Sequence, residues 1–164
     1  MVFRSLKPKE AEAFWNMMNS LDYETEFMMY EPGERTKNLS RIESLIEDSL
    51  HSGNFLLVAE ENQELAGYIS AQKGGLKRIQ HTAYVVTGVR QKYRRRGIGT
   101  KFFEELDEWA RENQVTRLEL TVLCPNITAL RLYEKNGFVI EGVKRNSMLL
   151  HGELVDEYYM GKIM

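Results

Sequence analysis

The stretch from Val85 to Ala110, VVTGVRQKYRRRGIGTKFFEELDEWA, changes period halfway along, and that change decides the fold. Up to Val89 it reads as the end of a β-rich run, RIQHTAYVVTGV, that follows a turn at Gly74-Gly75. From Gly97 the residues Ile98, Phe102, Phe103, Leu106, Trp109 and Ala110 mark one face of a helix running to about Gln114, with Glu104, Glu105, Asp107, Glu108 and Arg111 on the other face. Three adjacent arginines and two glycines, Arg94-Arg95-Arg96-Gly97-Ile98-Gly99-Thr100, stand where the strand hands over to the helix. Adjacent cations repel one another, so the cluster calls for an anionic partner.

Downstream, RLELTVL alternates Leu118, Leu120 and Val122 as a strand, and Pro125-Asn126 opens a short helix, ITALRLYEK, that stops at Asn136-Gly137. The order strand, helix, strand, helix implies a parallel crossover. The tail supplies two last strands, FVIEGVK and LVDEYYMGKIM, joined through RNSMLLHGE. Upstream, VFRSL reads as a first strand and PKEAEAFWNMMNSL as a helix with Ala11, Phe14, Trp15 and Met18 at helical spacing. DYETEFMMYEPGERT has no clean period and is broken at Pro32-Gly33, so it reads as a loop before a second helix, KNLSRIESLIEDSL. NFLLVAE and ELAGYISAQK, separated by Glu61-Asn62-Gln63, form an antiparallel hairpin. No repeat or linker interrupts the chain, which is expected to be one mixed α+β or α/β domain over residues 1–164.

Composition narrows the function. The chain has 164 residues, 22 Lys and Arg against 24 Asp and Glu, and a formal charge of −2, which argues against coating nucleic acid. No apolar run suits a membrane span and no secretory leader is visible at the N-terminus, so a cytoplasmic protein is expected. A single cysteine, Cys124, and three scattered histidines, His51, His81 and His151, offer no metal-ligand spacing. The basic cluster is therefore local and its partner small.

Gly97 and Gly99 open a helix end whose first-turn N–H groups are unpaired and unscreened by a Cβ, which makes an anion site. The aligned peptide dipoles contribute about half a positive charge there, and Lys92 with the arginines adds screened attraction for phosphate oxygens. The stretch is not a nucleoside-triphosphate loop, since Thr100-Lys101 reverses the required Lys-Ser/Thr order. Nor is it a dinucleotide fingerprint, since Phe102 holds the third glycine position.

Arg94-Arg95-Arg96-Gly97-Ile98-Gly99 resembles the Arg/Gln-x-x-Gly-x-Gly/Ala signature of the GNAT superfamily of acetyl-CoA-dependent N-acyltransferases. Asn126, Ala129, Leu132, Tyr133, Lys135, Gly137 and Phe138 are similar to the family's second segment. The resemblance covers the C-terminal two-thirds of the chain and, in element order only, the first fifty residues. It implies a GNAT-like fold: one domain with a mixed, mostly antiparallel sheet flanked by helices on both faces. It also implies that the amides of Gly97, Ile98, Gly99 and Thr100 hold the CoA pyrophosphate beside Arg94, Arg95 and Arg96. The backbone around Val89 would then pair with the pantetheine arm and offer an N–H to the thioester carbonyl. The expected cosubstrate is acetyl-CoA, with no metal.

The implied reaction is attack of a primary amine on the thioester: a small amine, an amino acid, a polyamine or a protein N-terminus. At a lysine-like pKa of about 10.4, only roughly one amine in 2,500 is neutral at pH 7, so a proton must be removed. Tyr133 is the candidate proton source for the departing thiolate, since a phenol of pKa about 10 lies near a thiol of about 8.5; its plain alternative is a core tyrosine. Asn126 is a candidate for the pantetheine side and equally a helix N-cap. Glu24, Glu26 and Glu31 in the irregular segment, with Tyr84 on the strand, are candidates for receiving a cationic acceptor or steering water. His81 reads as a strand residue and Cys124 as packing. The tail MLLHGELVDEYYM could pair across a homodimer. A non-catalytic acyl-CoA-binding regulatory module and a nucleotide-binding protein are the competing readings.

Overall fold

A computed structural model describes residues 1–164. In chain order the elements are β1 (Val2–Arg4), a 3-10 turn (Pro8–Glu10), α1 (Ala11–Glu24), α2 (Leu39–His51), β2 (Phe55–Glu61), β3 (Glu64–Lys73) and β4 (Thr82–Val89). After a second 3-10 turn (Gln91–Tyr93) come α3 (Ile98–Glu112), β5 (Arg117–Leu123), α4 (Ile127–Lys135), β6 (Val139–Leu150) and β7 (Glu153–Ile163). The seven strands form one sheet in the order β1-β2-β3-β4-β5-β7-β6. The β4–β5 pair is parallel, as the crossover through α3 requires; β1–β2, β2–β3, β5–β7 and β6–β7 are antiparallel. This is the mixed, mostly antiparallel arrangement expected from the sequence.

The chain forms two compact units, one of residues 1–72 and 86–102, the other of residues 73–85 and 103–164. In the first, α1 and α2 bury Phe14, Leu21 and Ile46 against Leu56, Val58 and Tyr68 of the hairpin. Phe14 meets Tyr68 edge-on, with centroids 5.3 Å apart. Each such side chain contributes about 1.5–3 kcal/mol on full burial, so this apolar cluster outweighs any single polar contact around it. The hairpin turns through Asn62 and Gln63, both left-handed at φ 52° and 65°, which matches the twist of a two-residue turn.

In the second unit, Phe103 of α3 packs edge-on against Tyr133 of α4 and against Phe138, at 5.7 and 5.6 Å. Leu106, Leu118 and Met160 are buried in the same unit. Asn126 caps α4, its Oδ1 accepting from the Ala129 amide at 3.2 Å. Gly137 at φ 89° ends that helix, and the Phe138 amide turns back to the Tyr133 carbonyl at 3.1 Å.

Two local expectations are corrected. Helix α1 continues past Leu21 to Glu24, because Leu21 and Asp22 are both buried and the Thr25 amide closes on the Leu21 carbonyl at 3.1 Å. Its buried stripe includes Met17, whereas Trp15 is half-buried, with Nε1 donating to the Thr36 carbonyl at 3.2 Å. Residues 145–150 lie within β6 rather than in a connection, and β6 and β7 turn at His151-Gly152. The register shifts between Lys144 and Met148, where left-handed Asn146 donates its amide to Asp156 Oδ1 at 2.8 Å, so the strand's alternation is lost in the sequence.

Candidate active site

The carboxylates that answer the basic cluster come from the first unit itself. Arg90 reaches Glu24 Oε1 through Nη2 at 2.7 Å and Glu64 Oε1 through Nη1 at 2.7 Å, while the Gln91 amide donates to Glu24 Oε2 at 2.6 Å. Lys92 and the Tyr93 hydroxyl both donate to Glu64 Oε2. Arg96 donates to Glu61 from Nη1 and Nη2 at 2.8 and 2.6 Å. The Lys92 bond holds Glu64 below the usual carboxylate range, and the Arg96 bond does the same for Glu61. Buried Tyr93 underlies both cations, with Lys92 Nζ 5.0 Å and the Arg96 guanidinium 5.6 Å from its ring centroid. Sequence reasoning missed Glu61 and Glu64 because nothing local links a hairpin turn to a loop some thirty residues later.

Two arginines are left over. Arg94 is exposed and turns Nε to the Val89 carbonyl at 3.1 Å, and exposed Arg95 makes no ion pair. Arg95 and Gly97 are both left-handed, at φ 60° and 80°. That folds the loop back on itself before α3, whose first-turn closure is the Lys101 amide on the Gly97 carbonyl at 3.0 Å. The amides of Ile98, Gly99 and Thr100 thus occupy the helix end that has no intrahelical acceptor. A Cβ built on Gly97 meets nothing within 4 Å, so the approach to those amides is open. Unpaired amides, two uncompensated guanidiniums and open space fit a phosphate-bearing ligand.

An open hollow of about 350 Å³ in the same unit is lined by Tyr23, Glu24, Thr25, Glu26, Phe27 and Arg94. Glu24 is committed to Arg90 and Gln91, so it is a structural anchor in this hollow. Glu26 and Glu31 are both exposed. Asp22, which the sequence did not single out, is buried and held bidentate by Arg35 at 2.5 and 2.9 Å; the Arg35 guanidinium lies 4.4 Å from the Tyr30 ring centroid. That pair ties the irregular segment to α1.

The second unit holds the remaining candidates. Tyr133 is buried against Phe103 and Phe138, and Asn126 is the N-cap of α4. Tyr84 is exposed on β4, with its hydroxyl 2.9 Å from Thr121 Oγ1 on β5. Thr121 was not anticipated; its outward place in the alternation of RLELTVL was the available signal. His81 lends its carbonyl to the amides of Thr116 and Arg117. Half-buried Cys124 sits beside Tyr158 and pushes that phenol above its ordinary value. No helix is long and apolar enough to cross a membrane.

Known proteins resemble this chain in sequence and in fold. Residues 15–138 match the model of the acetyltransferase (GNAT) family. The L-amino acid N-acetyltransferase of Escherichia coli is 33% identical over 111 residues, covering 65% of this chain and 67% of the relative. An acetyltransferase of the GNAT family from Streptococcus pneumoniae superposes with a TM-score of 0.94 at 28% identity, covering 99% of this chain and 98% of the other. A putative acetyltransferase from Salmonella typhimurium, solved with its cofactor acetyl-CoA, shares the fold with a TM-score of 0.87 at 20% identity, over 99% of this chain and 93% of the other. The chain is an acyltransferase and belongs to the acetyltransferase (GNAT) family.

Proposed function

We propose that residues 1–164 act as one cytoplasmic N-acetyltransferase domain that moves an acetyl group from acetyl-CoA to a primary amine by direct attack. The observation that carries this reading is the loop from Arg94 to Thr100, where left-handed Arg95 and Gly97 precede an open helix end beside two uncompensated guanidiniums. Arg94, Arg95 and the amides of Gly97, Ile98, Gly99 and Thr100 bind the pyrophosphate, with Arg96 at the edge because Glu61 already engages it. Bound there, acetyl-CoA supplies an activated thioester. The Val89 backbone N–H stabilises the negative charge that develops on the carbonyl oxygen. As the C–N bond forms and the C–S bond breaks, the Tyr133 hydroxyl gives its proton to the departing sulfur. Tyrosinate is then reprotonated from water, which also takes the proton the amine loses. Asn126 both caps α4 and faces the pantetheine arm, and Glu26, Glu31 and Tyr84 serve the acceptor. The acetyl-CoA of the Salmonella relative and the amino-acid acceptor in the name of the Escherichia coli relative support this reading.

Leu149 and Leu154, opposite one another in the β6–β7 register and 65% and 60% exposed, support a homodimer contact, which solution scattering tests. Thiol release from acetyl-CoA, followed over a panel of amines, amino acids and peptides, tests the reaction. Turnover of at least one amine is expected, together with thermal stabilisation by CoA exceeding that by ATP. Binding without any turnover would instead identify a regulatory acyl-CoA module.

A further inference from the structure

The turn between β2 and β3 carries a carboxylate on each side, and Glu61 and Glu64 stand directly opposite one another in its closing pair. Like charges so placed repel. Each is answered from the loop before α3: Glu64 by Arg90, Lys92 and the Tyr93 hydroxyl, Glu61 by Arg96. All of these residues belong to the first unit.

The two sets of bonds differ in kind. Glu64 is tied to three side chains at once, and Glu24, the third carboxylate at the loop, also accepts the Gln91 amide, so both brace the loop. Glu61 accepts hydrogen bonds from Arg96 alone, with the Met1 ammonium 3.9 Å from its Oε1. The pair lies at the surface beside the Tyr93 ring, with the Arg96 side chain 44% and the Glu61 side chain 24% exposed. An ion pair in that position contributes little to the fold, because water screens it. Its effect on the local charge is larger. Without Glu61 a third guanidinium, on the residue next to Gly97, would join those of Arg94 and Arg95 uncompensated beside the open helix end.

We infer that Glu61 is an internal competitor of the cosubstrate: held bidentate on Arg96, it withholds one guanidinium from the phosphates and lowers the affinity for acetyl-CoA and CoA alike. The inference rests on the acetyl-CoA reading and adds the residue that attenuates its binding. Donor and product carry the same pyrophosphate, so the pair weakens both by the same factor. Affinity differences among variants of one site fall mostly on the rate of departure, so Glu61 hastens release of the product CoA.

The test is calorimetric titration of wild type, Glu61→Gln, Glu61→Thr, Arg96→Ala and the Glu61→Gln/Arg96→Ala double variant with CoA, acetyl-CoA and inorganic pyrophosphate, at low and high salt. Glu61→Gln keeps the size of the side chain and removes the repulsion with Glu64, so its melting temperature should stay within about 2–4 °C of wild type. Glu61→Thr, a residue suited to a strand, removes the charge independently. Both are expected to tighten CoA and acetyl-CoA equally, by roughly 2–5-fold, the scale of an exposed ion pair, and the gain should shrink at high salt. It should vanish in the double variant. Unchanged or weaker CoA affinity in both single variants, or a gain that survives in the double variant, overturns the inference and leaves the acetyl-CoA reading standing. Absence of CoA and acetyl-CoA binding by wild type overturns that reading, and the inference with it, even where pyrophosphate binds.

Discussion

Arg96 lies bidentate on Glu61, at 2.8 and 2.6 Å, while its neighbour Arg95 makes no ion pair. The field that a phosphate meets at the head of α3 therefore comes chiefly from Arg94, Arg95 and the helix end, with Arg96 already neutralised. Arg94→Ala and Arg95→Ala should each weaken CoA binding by roughly 2–5-fold, the scale of an exposed ion pair, and Arg96→Ala by less. Calorimetric titration at low and high salt checks both the order and its origin, since the differences should shrink once the charges are screened. A larger loss for Arg96→Ala than for Arg95→Ala would show that Glu61 shares its partner with the ligand.

Two glycines should fail for different reasons. Gly97 has φ 80° and open space around its missing Cβ, so Gly97→Ala costs only backbone strain, about 1–2 kcal/mol. Gly97→Asn should recover part of that, because asparagine tolerates the left-handed region. At Gly67 an added Cβ would lie 2.5 Å from the Gly88 carbonyl oxygen, backbone against backbone, so Gly67→Ala must displace a strand. Thermal melts should rank Gly67→Ala below Gly97→Ala, and CoA binding should fall for Gly97→Ala by more than its loss of stability explains.

Tyr133→Phe removes a hydroxyl and keeps the ring that packs on Phe103 and Phe138. Its melting temperature should therefore stay within about 2–4 °C of wild type, the shift expected for about 1 kcal/mol at this size. Loss of a general acid should lower kcat by roughly 10²–10⁴-fold, with CoA affinity retained. Pre-steady-state thiol release separates this from slow product dissociation. A kcat within twofold of wild type would return Tyr133 to the role of a core tyrosine.

What could be read from the chain depended on whether its meaning was local. The period change at Gly97, the alternation of RLELTVL and the stop at Asn136-Gly137 are properties of neighbouring residues, and each lies where expected in α3, β5 and α4. β6 was half hidden because its shifted register breaks alternation through Arg145 and Asn146. The open helix end after Gly97 was legible from the two glycines, yet the division of the arginines between paired and unpaired was not. It depends on Glu61 and Glu64, which reach the loop only through tertiary pairing. Asp22 and Arg35 were invisible for the same reason: thirteen residues apart in an aperiodic stretch, they become partners only once α1 and Tyr30 enclose them.

The same enclosure gives the fold an alkaline limit. Tyr68 is buried beneath α1, and burial, with the Asp22 charge adding to it against the opposing Arg35 charge, pushes its phenol up to about 12. A phenol whose folded value exceeds its unfolded value of about 10 stabilises the fold while it stays protonated. That contribution is complete below about pH 10 and is lost as the pH rises through about 12. Absorbance at 295 nm should therefore show Tyr68 ionising late, together with loss of near-ultraviolet dichroism. Tyr68→Phe keeps the edge-on contact with Phe14 and removes the titrating group, so it should move the alkaline transition to higher pH. An unmoved transition would place the limit in the ion pairs of the first unit, with Arg35→Met, which strands the buried Asp22 carboxylate, as the variant that lowers stability.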